Sequence, residues 1–195
     1  MKALTDIQLD ALRELANIGS GTAATALSGM LRRSTDVAVP TALALPLADA
    51  VDEIGPPGAE ATAVVLPIVG DLDAIVLMLF APEDAKRICA LLGVDPATEL
   101  GRSALNEVAN IVGTAYINAL CAVTGLELEP APPQATTDML GAIVESVLAE
   151  HAAAQDIALL LDSDLRVEDE ACSFSFILVP TTRSVGELLE RLGLA

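Results

Sequence analysis

Tryptophan is absent from this chain, tyrosine occurs once and phenylalanine three times. A core for 195 residues must therefore be filled by Ala, Leu and Val, and the 53% hydrophobic content is ample for that. Basic residues are scarce as well: 10 Lys and Arg stand against 28 Asp and Glu, a net charge of −18. That balance argues against a surface that tracks a phosphate backbone, and equally against adhesion to anionic lipid. Histidine occurs once, as His151. The three cysteines, Cys89, Cys121 and Cys172, are far apart and form no C-x-x-C, so neither a disulfide framework nor a zinc site is expected. Each sits among apolar residues and reads as a buried thiol. No apolar stretch is long enough to span a bilayer; residues 74–81 are typical of the longest. The opening MKALTDIQLD turns polar at once and lacks a signal-peptide core. The expectation is a cytoplasmic protein with no membrane insertion.

What the chain does contain is one polar pattern, twice. Asp10, Glu14, Asn17 and Pro40 recur as Ser103, Glu107, Asn110 and Pro133, each 93 positions later. Both copies read [Asp/Ser]-x3-Glu-x2-Asn-x22-Pro. A single Glu and Asn on an amphipathic helix would be ordinary surface polarity. Two copies with proline at the same distance point to a duplication that kept a carboxylate and an amide together.

The surrounding order repeats too. Residues 6–31 and 99–124 read as long helices, the first capped by Thr5 or Asp6, with Leu9, Leu12, Ile18, Ala23, Leu27 and Met30 as apolar positions. Gly19 and Gly21 weaken the first helix, so a packing or contact reason is expected for both. A short strand at 35–39 is expected to stop at Pro40. Residues 48–60 read as an acidic, proline-rich loop. Residues 61–69 and 73–80 read as a hairpin, and a second helix closes at Leu92 and Gly93. In the second half, 138–151 reads as an extra helix in place of the acidic loop, 155–162 and 171–179 as the hairpin, and 182–192 as the closing helix. The fold expected is α/β (α+β): one domain over 1–195, made of repeats at about 6–93 and 99–193, with a pseudo-twofold axis and two long motif helices on one antiparallel sheet.

On a helix, positions i, i+4 and i+7 lie within about 60° of one another. Asp10, Glu14 and Asn17 thus form one polar stripe, continued by Gly21 and Ser28; Ser103, Glu107 and Asn110 form the other, continued by Thr114 and Cys121. Small residues along a stripe suit a docking face rather than a closed pocket. No nucleophile–base pair is within reach by sequence. One Glu and one Asn are too few ligands to hold Mg²⁺ or Zn²⁺, so no metal site of its own is expected. An amide can orient a water, and a carboxylate can anchor a partner's Lys or Arg. Phosphoryl transfer suits so sparse a kit, because it rests on positioning and charge stabilisation.

At these residues, with LRELANIGSGTAATALSGML and LNEVANIVGTAYINALCAVTGL around them, the chain resembles the CheC phosphatases of prokaryotic chemotaxis, the family that includes CheX and FliY. The resemblance covers essentially the whole chain. Two motifs resemble CheC more than the single-motif CheX, and no added C-terminal domain of the FliY kind is seen. It implies hydrolysis of the phospho-aspartate of the response regulator CheY. Glu14 and Glu107 would hold the regulator's active-site Lys, and Asn17 and Asn110 would orient the attacking water. Asp10 and Ser103 would have capping or contact roles, and Pro40 and Pro133 would shape strand ends near the site. Mg²⁺ would come only with the bound regulator. The family also implies the receptor deamidase CheD as a partner, with the helix at 138–151 as its candidate docking element. A binding protein that holds CheD, sensitive to phosphorylated CheY but with little turnover, is the alternative.

Overall fold

A computed structural model describes residues 5–150, 157–180, 187, 188, 190 and 191. In chain order the elements are α1 (Asp6–Leu31), β1 (Thr35–Pro46), α2 (Leu47–Ile54), β2 (Glu60–Gly70), β3 (Ala74–Phe80) and α3 (Pro82–Leu91). The second half follows with α4 (Glu99–Thr124), β4 (Leu128–Pro130), β5 (Gln134–Met139), α5 (Leu140–Glu150), β6 (Ile157–Val167) and β7 (Glu170–Pro180). The closing helix expected at 182–192 falls largely outside the described residues.

Local chemistry sets the helix ends. Thr5 and Gln8 form a capping box at the start of α1: the Gln8 amide donates to Thr5 Oγ1, and the Thr5 amide donates to Gln8 Oε1. Thr98 caps α4 by accepting from the Gly101 amide at 3.1 Å. Helix α3 ends at Leu91 with Leu92 as its C-cap, and Gly93 takes the left-handed φ of 72° that lets the Gly93 and Val94 amides reach back to the carbonyls of Ala90 and Cys89.

The sheet is antiparallel throughout, in the order β1-β6-β7-β3-β2-β4, with β5 also on β2. Each repeat's first strand therefore pairs with the other repeat's hairpin. β1 lies on β6, while β4 and β5 lie on β2. The two hairpins meet at β3 and β7, where the pseudo-twofold axis passes. Strand alternation divides the apolar residues between two faces. Val76, Met78 and Phe80 of β3 join the larger core under α1, α3 and α4. Ile75, Leu77 and Leu79 face a second core under α2 and α5. All four aromatics, Phe80, Tyr116, Phe174 and Phe176, lie in the larger core, with Tyr116 against Phe176 at a ring-centroid distance of 4.6 Å.

Two expectations fail. The stretch 48–60 is not simply a loop, for it opens with α2, and 93 positions after Leu47 stands Leu140, the first residue of α5. Helices α2 and α5 are thus the same element in the two repeats, and α5 is not an addition. Leu47, Ala50, Val51 and Ile54 have the i, i+3, i+4, i+7 spacing of an amphipathic helix, and Asp49 lies in its first turn. The prolines that suggested a loop, Pro56 and Pro57, lie beyond the helix, and Pro46 precedes it. Nor does Pro40 stop β1, which runs to Pro46 with a register shift between Ala38 and Thr41. The strand tolerates proline because it is the sheet's edge and bulges there, so the missing N–H breaks no interior ladder. In the other half, Pro130, Pro132 and Pro133 part the equivalent strand into β4 and β5.

Candidate functional site

Leu12, Leu15, Ala16, Ala23 and Leu27 press α1 onto the core. Asp10, Glu14 and Asn17 are exposed on its other side. On α4 the core residues are Leu105, Val108, Ala109, Val112 and Tyr116; Ser103 and Glu107 are exposed, and Asn110 is half-buried. Asp10 is engaged in an ion pair with Arg13. The side chains of Glu14, Asn17, Glu107 and Asn110 have no hydrogen-bond or ion-pair partner among the described residues.

Helix and strand geometry explains the long spacing to proline. The Thr35 amide donates to Ser28 Oγ at 3.0 Å, which sets the start of β1 level with Ser28. From Ser28 back to Asn17 is eleven helical residues, about 16 Å. From Thr35 on to Pro40 is five strand residues, also about 16 Å. The strand thus returns to the level of Asn17 at its proline. Cys121 and Leu128 take the places of Ser28 and Thr35 in the second half, with Cys121 Sγ 3.9 Å from the Leu128 carbonyl, so Pro133 comes level with Asn110. By this arithmetic the proline of each repeat comes level with its Asn, on the strand that follows the motif helix.

The two groupings are separate. Asn17 lies within about 20° of Ser28 on the helix wheel, on the side of α1 that faces β1. The opposite side faces α4, where a Cβ on Gly19 would stand 2.5 Å from Tyr116 Cδ1 and 2.9 Å from its Cα. This is the packing reason for Gly19. Around a Cβ on Gly21 there is nothing within 4 Å, so no contact within the chain requires that glycine. The helix contact is fixed by a buried hydroxyl chain: Tyr116 Oη lies 2.9 Å from Ser20 Oγ and 3.4 Å from Ser163 Oγ. Burial raises the Tyr116 pKa, against a smaller lowering by the two serines, so the phenol remains neutral at the heart of the contact. Asn17 and Asn110 consequently face opposite edges of the helical layer.

Both groupings lie along helix surfaces. A cavity of about 390 Å³ opens elsewhere, near Ile54, Pro56, Phe80, Ser163 and Phe174, and no motif residue lines it. No group of three or more His, Cys, Asp or Glu able to hold a metal ion occurs among the described residues. No described helix is long and apolar enough to cross a membrane.

Two exposed apolar residues went unread in the sequence, and a third, Ile18, was misplaced. Ile7 (74% exposed) and Leu100 (64%) are 93 positions apart, each three residues before its motif. Ile18, at 51%, follows Asn17, where a core position was expected, whereas its counterpart Ile111 packs partly against the core. The constant offset is the signal that could have marked Ile7 and Leu100. Cys121 is likewise only half-buried, unlike Cys89 and Cys172.

A model of the CheC-like family matches residues 7–43, a span that holds the first motif from Asp10 to Pro40. The chain resembles the CheC-like family. The CheY-P phosphatase CheC of Bacillus subtilis (strain 168) is 29% identical over 196 residues, covering 95% of this chain and 94% of that one. The fold has solved counterparts at lower identity. FliY of Thermotoga maritima superposes with a TM-score of 0.79 at 18% identity, covering 98% of each chain. The FliM middle domain of Helicobacter pylori gives 0.72 at 12% identity, covering 96% of this chain and 99% of that one. These structures share the fold.

Proposed function

We propose that this chain is a phosphatase for the aspartyl phosphate of the response regulator CheY. The observation that carries the reading is that each repeat presents a Glu and an Asn, one turn apart, with neither side chain engaged within the described residues. Groups held at a surface without internal partners are available to a docked protein. The B. subtilis relative named as a CheY-P phosphatase supports the substrate.

Each helix edge lies along the regulator's active site. Glu14 or Glu107 accepts a charge-assisted hydrogen bond from the regulator's lysine ammonium, which fixes the register of docking. The amide of Asn17 or Asn110 accepts from a water through Oδ1 and holds it in line with the P–O bond to the aspartyl carboxylate. The water oxygen bonds to phosphorus, the acyl P–O bond breaks, and the products are the free aspartate carboxylate and inorganic phosphate. Mg²⁺ belongs to the regulator and neutralises charge on the phosphoryl oxygens; this chain contributes no ligand to it. Ile7 and Leu100 give each dock an apolar rim.

The test is the decay of phosphorylated CheY with and without this protein. Asn17→Ala with Asn110→Ala should lower the acceleration on the order of 10²-fold or more, with an unchanged circular dichroism spectrum. Decay as fast as with the native chain would overturn the water-positioning role. A native chain that binds CheY-P without accelerating its decay would instead favour the reading as a binding protein with little turnover. Helix α5 is not unique to one half, because α2 matches it, so symmetry does not single it out as a dock for CheD.

A further inference from the structure

We infer that Asn106 is a positioning residue of the second site, where it orients the amide of Asn110. This rests on the phosphatase reading above. Asn106 lies one turn before Asn110 on α4, so the two side chains are neighbours on one flank of the helix. Its Oδ1 is shielded from solvent and has no hydrogen-bond partner among the described residues. Whichever way the amide is turned, one of its two polar ends occupies that shielded place. A buried acceptor without a donor opposes folding, so an acceptor retained there calls for a donor that arrives at some step of function. The neighbouring amide of Asn110 can supply one. Asn110 is half-buried, whereas Asn17, its counterpart, is exposed.

The first repeat is built differently at this place. Arg13 stands where Asn106 stands in the second, and it is tied to Asp10. The second repeat has Ser103 in place of Asp10 and has no cation at 106. The first site thus carries a charged pair beside Glu14, and the second an amide beside an amide. When a regulator covers the second site, the Asn110 Nδ2 donates to Asn106 Oδ1. That bond fixes Asn110 with its own Oδ1 turned outward, toward the water.

The experiment separates the sites. In an Asn17→Ala background, CheY-P decay reports the second site; in an Asn110→Ala background, it reports the first. Asn106→Leu removes the amide and keeps the side-chain volume. In the first background it should lower the maximal rate at saturating CheY-P about tenfold, with little change in the half-saturating concentration. In the second background it should change nothing, and that activity also verifies folding. The melting temperature should hold or rise, because an unpaired polar atom has been removed. Asn106→Gln should restore part of the rate.

An equal loss of rate in both backgrounds would mean that Asn106 is merely structural, and the inference fails. Unaltered second-site turnover in Asn106→Leu, or no second-site turnover in Asn17→Ala alone, would also overturn it. If the native chain gives no acceleration at all, it is the phosphatase reading that falls.

Discussion

Gly19 and Gly21 look alike in the sequence, two glycines in the middle of one helix, and their surroundings give opposite expectations. A methyl group on Gly19 meets the backbone of Tyr116 at 2.9 Å as well as its ring, so the two long helices must move apart. Gly19→Ala should cost about 1–3 kcal/mol, the range for overpacking a tight core. Around Gly21 there is open space, and Gly21→Ala should add up to about 1 kcal/mol through helix propensity alone. Chemical denaturation of both variants checks the pair; equal and opposite shifts are not required, but opposite signs are. At this scale the repeat marked out the candidate site residues. Glu14, Asn17, Glu107 and Asn110 were legible because their spacing repeats. Asn106 was not, since its distinguishing property is a shielded oxygen with no partner, which no pattern of letters records. Ile18 was read as core because it is apolar; its angle on the helix, near that of Glu14, decides otherwise.

Helices α1 and α4 and the strands of both hairpins were legible from periodicity, and three-dimensional pairing explains what was not. Helix α2 is eight residues long and lies between prolines, so composition hid a spacing that burial of Ala50 and partial burial of Ile54 make plain. β1 looked short because proline usually ends a strand, but an edge position lets the chain continue through a bulge. The start of α4 offers a test at this level. Thr98 Oγ1 accepts from the Gly101 amide and donates to the Asp95 carbonyl at 2.6 Å. Thr98→Ala should cost about 0.5–2 kcal/mol. Fraying of that first turn should speed hydrogen exchange around 99–103, close to the second site, and leave α1 unchanged. Equal acceleration in both helices would contradict a local role for the cap.

Across the whole molecule the charge is unbalanced, and the described ion pairs do little to relieve it. Asp10–Arg13, Glu83–Lys86, Asp84–Arg87 and Glu187–Arg191 each join residues three or four apart. Such exposed local pairs contribute little, and none of these four links one element to another. With a net charge of −18, the compact state repels itself. Raising NaCl from about 0.05 M to about 0.5 M shortens the screening length below about 5 Å and should raise the melting temperature. A fall over that range would show that attractive pairs, not repulsion, dominate. The exchange of strands between repeats has a further result for how the molecule can be taken apart. Severed between α3 and α4, the chain becomes two polypeptides that each lack the partner of their own leading strand. The connection at 92–98 is then a tether that keeps two complementary pieces at high effective concentration. Fragments mixed after such a cut should regain the native spectrum at a rate that rises with concentration, as a bimolecular encounter does. Neither fragment alone should present a finished docking edge, because the strand that comes level with each asparagine is held in place by the other half.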